Sequence, residues 1–127
     1  MNRKLTLILL LFTLATPLFA QGVSVAAKVD SVQLMIGEQT DLVLQVNMNK
    51  GQIAQFPVFT DTIVNGIELL ESLPVDTLYG DNKERITLTK RYKITSFDAN
   101  LYFIPHLEVD VDGETYQSES RSLKVET

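Results

Sequence analysis

Residues 85 to 97 alternate between apolar and polar side chains, and this alternation constrains the fold more than any other feature. The apolar parity holds Ile86, Leu88, Tyr92 and Ile94, with Lys90 as the single break. Period-two alternation is typical of a β-strand with one buried face, because successive side chains point to opposite sides of a sheet. Residues 42 to 48 repeat the pattern, and helical periodicity with caps is absent. The sequence therefore predicts an all-β fold.

The segment from Asp98 to Tyr102 resembles the corner that precedes strand F in immunoglobulin-like sandwiches. In that corner a tyrosine hydroxyl bonds to backbone a few residues upstream. Immunoglobulins place a cysteine two residues after the tyrosine, where this chain has Ile104. The resemblance implies a disulfide-free immunoglobulin-like sandwich. The alternative is an ordinary strand tyrosine.

Shorter strand-like runs flank these two long strands. We expect edge or half-buried strands at 23–29, 32–36, 53–59, 67–71 and 75–79, with apolar Val32, Leu34 and Ile36 sharing one face. Pro57 cannot donate a backbone hydrogen bond, so it should interrupt its strand. Residues 60–65 fit a loop or one helical turn equally well. We count seven or eight strands, with turns about every 8–12 residues, as in an antiparallel sandwich.

The last hairpin contains two expected irregularities. Tyr102 and Ile104 differ in parity from Leu107, Val109 and Val111. A bulge at Pro105 would explain the change, because one extra residue moves the following side chains to the other face. Asp112-Gly113 supplies a two-residue turn whose positions favour positive φ. The final strand, 114–126, changes parity again near 118–122.

The first twenty residues read as a signal peptide, which leaves residues 21–127 as one domain. Arg3 and Lys4 precede an apolar core from Leu5 to Leu14, and a plausible cleavage region ends at Ala20. Removing them leaves nine basic against sixteen acidic residues, a net charge of −7. Such a surface argues against nucleic acid and anionic membranes as partners. No second apolar run follows, so we expect a periplasmic or otherwise extracytoplasmic protein without a membrane span after cleavage.

Residues able to carry catalysis are few. The chain has no cysteine and one histidine, His106, so a histidine–cysteine metal cluster cannot form and a Ser–His–Asp triad would have to use His106. We expect His106 to be exposed or hydrogen-bonded. We predict no enzyme, no catalytic or cofactor-binding residue, no metal site and no cofactor.

One acidic cluster leaves alternatives open. It consists of Glu108, Asp110, Asp112 and Glu114 around Gly113. Oxygen ligands at alternating positions could suit Ca²⁺, although the closing glutamate of a calcium loop is missing. Two carboxylates could also serve glycoside hydrolysis, which needs an acid and a base about 5–10 Å apart. The simplest interpretation is the solvent side of a hairpin.

The chain as a whole resembles the first domain of BatD-type oxygen-tolerance proteins of Bacteroidetes. The matching residues are Gly37-Glu38, Phe56-Pro57, Gly66-Ile67-Glu68 and Thr95 to Pro105, with Asn100 where that family usually has glycine. The resemblance implies an immunoglobulin-like envelope domain without catalysis. It further implies a protein partner in the envelope, such as membrane proteins with von Willebrand factor A domains.

Two non-catalytic functions compete. A protein-interaction module would offer edge strands, such as Val23–Val29 or the Pro57 region, to a partner strand. A carbohydrate-binding module would need aromatic platforms, for which the chain has four tyrosines and no tryptophan: Tyr79, Tyr92, Tyr102 and Tyr116. We favour the protein-interaction module.

Overall fold

The structure, a computed structural model, describes residues 22–127, so the expected signal peptide lies outside the described residues. The described residues form twelve β-strands and no helix, which confirms the all-β prediction. The strands are β1 (Ser24–Val29), β2 (Gln33–Met35), β3 (Gln39–Asn49), β4 (Ala54–Gln55), β5 (Thr62–Val64), β6 (Ile67–Ser72), β7 (Asp76–Tyr79), β8 (Arg85–Thr95), β9 (Asn100–Ile104), β10 (Glu108–Val111), β11 (Glu114–Gln117) and β12 (Arg121–Glu126). Among residues 22–127 no helix is present that has the length and apolar character to cross a membrane.

The first layer is a six-stranded sheet built on the pairing of β3 with β8. Its order is β1-β3-β8-β6-β5. In addition, β7 pairs with residues 86–89 of β8, while β6 pairs with residues 92–95 of the same strand. The two central strands pair without a break from Gln39 opposite Thr95 to Asn49 opposite Arg85. The alternating apolar residues of both strands point inward and are buried, as predicted: Leu42, Leu44, Val46, Met48, Ile86, Leu88, Tyr92 and Ile94.

The second layer consists of two three-stranded sheets, β11-β10-β4 and β2-β12-β9. They are two halves of one bent hairpin, because β9 leads into β10 and β11 leads into β12. At the bend, the Ser118 N–H donates to the Leu107 carbonyl (2.8 Å) and the Leu107 N–H donates to the Ser118 Oγ (3.0 Å). The buried residues change parity across this bend, as predicted: Ile104 and Leu107 are buried on one strand, and Ser118 and Leu123 on the other. The expected bulge at Pro105 does not form, because the strands keep one register from Ile104 opposite Arg121 to Glu108 opposite Gln117.

Both layers contribute to one hydrophobic core. Ile104, Val109, Val111, Leu123 and Val125 of the second layer belong to the same buried cluster as the inward residues of β3 and β8. The molecule is a β-sandwich, and the chain has no cysteine to cross-link its layers. The Asp112-Gly113 turn also forms as predicted, with φ of 51° and 86°.

Several short segments differ from their prediction. Pro57 limits the expected strand 53–59 to two paired residues, Ala54–Gln55, because a proline cannot continue the ladder. Residues Thr62–Val64 form a strand rather than a loop or a helical turn. In β2 only Leu34 is buried, while Val32 and Ile36 are exposed, because that strand pairs for just three residues.

Lys90, the break in the alternation of β8, lies on the inward parity of that strand. Its Nζ donates to the Leu73 carbonyl oxygen and lies 5.4 Å from the centre of the Tyr92 ring. The long side chain therefore carries its charge to the margin of the core, where backbone oxygen and an aromatic face stabilise it.

The corner after β8 forms as predicted. The Tyr102 hydroxyl donates to the Asp98 carbonyl (2.8 Å), and the Ser96 Oγ lies 3.1 Å from the same hydroxyl. Gly66 packs against the Tyr102 ring so closely that a Cβ on this glycine would overlap the ring, and its φ is +94°. The corner therefore ties β9 to the turn between β5 and β6.

Replacing Tyr102 by phenylalanine should destabilise the domain by about 1–3 kcal/mol, because the buried Ser96 hydroxyl and the partly buried Asp98 carbonyl lose the tyrosine hydroxyl as a partner. Urea unfolding followed by circular dichroism measures this loss. Tyr116→Phe is the control, since the Tyr116 hydroxyl bonds only to the exposed Glu114 carboxylate (3.0 Å) and should leave the midpoint unchanged. Equal midpoints for Tyr102→Phe and the wild type would contradict the structural role of the corner.

Gly66→Ala should destabilise the domain more than Gly113→Ala does. Both glycines have positive φ, so both substitutions carry backbone strain of about 1–3 kcal/mol. Only Gly66 has a neighbour, the Tyr102 ring, within contact of the added methyl group, whereas nothing lies within 4 Å at Gly113. Thermal unfolding of the two variants compares them directly. A Gly113→Ala variant as unstable as Gly66→Ala would show that the ring contact contributes nothing.

Candidate functional site

The outer side of the sheet β2-β12-β9 carries the most prominent exposed apolar surface of the second layer. In β9, Tyr102 and Ile104 point into the core, so Leu101 and Phe103 point outward. Phe103 is 70% exposed and Leu101 55% exposed. We call the surface formed by Val32, Met35, Leu101 and Phe103 the apolar face. Val32 and Phe103 line one depression, whereas Lys124 and Glu126 of β12 separate Met35 from Leu101. Exposed apolar side chains of this size can mark interaction sites in soluble proteins.

A shallow depression of about 300 Å³ lies at the Phe103 end of the apolar face. It is lined by Val32, Phe103, Ser120, Arg121 and Ser122. Ser122 is the residue of β12 directly opposite Phe103, and its small side chain leaves one side of the ring uncovered. The depression therefore exposes one side of the phenylalanine ring and is lined by two apolar and three polar or charged residues.

The charged residues around the apolar face compensate one another. The Arg121 guanidinium lies 2.6 Å from the Glu119 carboxylate, and Lys124 Nζ lies 3.0 Å from the Glu126 carboxylate. Hydrogen bonds from Lys124 and Gln33 lower the pKa of Glu126, so this carboxylate stays ionised. Each of these two cations therefore has its own anion beside the apolar face.

The two edges named from the sequence are less open than expected. On β1, the Arg121 Nε donates to the Ala27 carbonyl (2.7 Å), which covers part of that edge. Near Pro57 the chain leaves the sheet, and the Pro57 carbonyl accepts the Tyr92 hydroxyl (2.6 Å). Val58 remains highly exposed there.

One edge of β9 has no partner strand, and this edge was not among those expected from the sequence. Within residues 22–127, β9 pairs only with β12. The unbroken apolar run Leu101-Tyr102-Phe103-Ile104 was the available signal, because a strand that is apolar on both sides is normally covered on both sides. Only tertiary structure shows that the outer side is left uncovered.

The remaining candidate residues do not form a common site. His106 is exposed and its Nδ1 lies 2.6 Å from the Ser118 carbonyl, which confirms the hydrogen-bonded interpretation. In the acidic hairpin, Asp112 Oδ1 accepts the Ile53 N–H (2.9 Å). Among the described residues 22–127, no three histidine, aspartate or glutamate side chains gather to hold a metal ion. The arrangement at this hairpin is that of a turn stabilised by its aspartate.

Two of the four tyrosines lie in the core. Tyr92 and Tyr102 are buried, and burial raises the pKa of the Tyr92 hydroxyl well above its ordinary value. Tyr79 is exposed, and Tyr116 is half-buried at the end of the second layer. A sugar ring could therefore stack on Tyr79 or Tyr116 but not on the other two.

Comparison with known proteins adds no relative. A scan of protein-family models finds no match to the chain, and a search of curated proteins finds none either. The apolar face is therefore interpreted from its own chemistry.

Phe103→Ser should leave the stability of the domain within about 0.5 kcal/mol of the wild type, because surface substitutions away from packed features have small effects. It should at the same time lower the fluorescence of an apolar dye, such as bis-ANS, bound to the folded protein. Urea unfolding and dye titration measure the two effects. A large loss of stability with unchanged dye binding would show that Phe103 is a core residue rather than part of an interaction face.

Proposed function

We propose that the chain is an exported, non-catalytic immunoglobulin-like module that binds another protein of the cell envelope. The observation that carries this proposal is the apolar face, because a folded domain gains nothing from leaving Phe103 and Leu101 in water. The signal peptide interpretation of residues 1–20 places the module in the periplasm or another extracytoplasmic compartment. The resemblance to BatD-type proteins supports the same type of domain.

The partner we propose is a protein with an apolar contact surface or an extended apolar segment. The ion pairs Arg121–Glu119 and Lys124–Glu126 leave the apolar face without excess charge, so burial of Val32 and Phe103 provides the binding energy. Burying a large apolar side chain yields about 1.5–3 kcal/mol. Membrane proteins with von Willebrand factor A domains are the partner class that the family resemblance implies.

Carbohydrate binding is the alternative, and the structure offers it less support. Flat aromatic platforms need exposed rings side by side, whereas Tyr92 and Tyr102 are buried in the core. Tyr79 is exposed on β7, in the other layer from the apolar face. A glycan array separates the two functions, since a protein-interaction module gives no glycan signal.

Envelope extract passed over the immobilised protein should yield a specific partner that depends on the apolar face. Val32→Lys should abolish capture, because a lysine at the depression places a charge in an apolar contact. Leu78→Lys is the matched control, since Leu78 is 71% exposed and lies on β7, away from the face. Capture should also survive high salt, because the contact is apolar and screening acts on charges.

The proposal is wrong if the same proteins are captured by the wild type, Val32→Lys and Leu78→Lys alike, since such binding would not use the apolar face. It is equally wrong if nothing above background is recovered from an extract that contains the intact membrane fraction.

A further inference from the structure

We propose that the free edge of β9 pairs with the same edge of a second copy of this chain, so that two three-stranded sheets join into one six-stranded sheet. The inference rests on the proposed function in assigning this sheet to protein contacts, and it names one partner that the sheet accepts. It concerns the edge of the sheet, whereas the envelope partner is assigned to its outer face.

The backbone direction along β12 shows which groups of β9 are free. The Lys124 N–H donates to the Val32 carbonyl (2.9 Å), and the Ile36 N–H donates to the Glu126 carbonyl (2.9 Å). Lys124 and Glu126 therefore direct their backbone groups toward β2. Because the direction alternates along a strand, Leu123 and Val125 direct theirs toward β9.

The partners of Leu123 and Val125 are Tyr102 and Asn100, which consequently use their backbone groups inside the sheet. Leu101 and Phe103, which alternate with them, direct their N–H and C=O groups away from β12. No strand within residues 22–127 pairs with these groups. The edge thus offers exposed apolar side chains and backbone groups that no neighbouring strand pairs, although the Leu101 N–H is bonded within its own chain to Asn100 Oδ1.

An antiparallel pair of β9 strands centred on Tyr102 matches these residues with each other. Leu101 of one copy then lies opposite Phe103 of the second copy, and Phe103 lies opposite Leu101. Both positions are hydrogen-bonded pairs, which exchange two backbone hydrogen bonds each. A two-fold axis through the pair repeats every contact, as an isologous dimer interface requires. No other register joins both free residues to free residues.

The absence of charged side chains at this edge is compatible with a second copy as its partner. The chain is acidic overall, yet residues 99–105 contain no charged side chain, so two copies can approach there without like-charge repulsion.

Asn100 controls the strength of this pairing. Its Oδ1 accepts the Leu101 N–H (2.8 Å), so the side chain occupies one of the edge groups in the single chain. A second copy must displace this carboxamide before the Leu101 amide can pair. The Asn100 side chain therefore competes with edge-to-edge association and weakens it.

Sedimentation equilibrium of the purified protein, from about 1 µM to about 1 mM, tests the dimer. The wild type should self-associate, and Phe103→Lys should raise the dimer dissociation constant at least about tenfold. Asn100→Ala should lower it by about two- to tenfold, because the competing hydrogen bond is gone. Leu78→Lys, equally exposed on the other layer, should leave it unchanged. A wild type that stays monomeric throughout, or a dimer that Phe103→Lys does not weaken, overturns the proposal.

Disulfide trapping tests the register, since the chain has no natural cysteine. Opposite residues of a hydrogen-bonded pair lie about 5.5 Å apart between Cα atoms, within reach of a disulfide. A mixture of Leu101→Cys and Phe103→Cys proteins should therefore cross-link on mild oxidation. Each variant alone should cross-link much more slowly, because its cysteines are offset by two residues. Equal cross-linking in all three samples overturns the register.

The experiments distinguish failure of the second-copy pairing from failure of the proposed interaction module. A monomeric protein whose capture of an envelope partner depends on Val32 would remove the second-copy pairing and leave the interaction module intact. A dimer sensitive to Phe103→Lys, without any envelope partner, would do the reverse.

Discussion

The unbroken pairing of β3 with β8 is the constraint on which the rest of the structure depends. Eleven residues of each strand pair in register, from Gln39–Thr95 to Asn49–Arg85. Because side chains alternate along both strands, one register aligns their apolar residues, apart from Val43, on one face, and a slip of one residue would expose them. This face receives the second layer, and the corner at Tyr102 fixes where that layer begins.

Sequence patterns predicted the parts of the fold that depend on local rules. The alternation in β3 and β8, the Asp112-Gly113 turn and the change of parity at Pro105 each arise from a few neighbouring residues, and each is observed. Prediction was weaker where a strand depends on its partners. Val32 and Ile36 alternate correctly but lie beyond the short pairing of β2 with β12, so both stay exposed, Val32 to 64% and Ile36 to 38%.

The candidate site was harder to predict than the fold for a related reason. The sequence shows that Leu101 and Phe103 are apolar, but it does not show which edge of β9 has a partner strand. β4 pairs with β10 for only two residues, and after it the chain passes Pro57, whose carbonyl accepts the Tyr92 hydroxyl, instead of continuing along β9. A single proline in one layer thus leaves the edge of another strand open. The exposed surface of β9 therefore depends on which distant strands pair, and local periodicity does not encode this.

Hydrogen–deuterium exchange of the purified protein at low and high concentration tests most directly whether β9 is a docking strand. The account predicts that the Phe103 amide exchanges freely in dilute solution and becomes protected as concentration rises, while peptides covering β7 exchange at a constant rate. Exchange in β9 that is independent of concentration, and that an envelope extract also leaves unchanged, would contradict it.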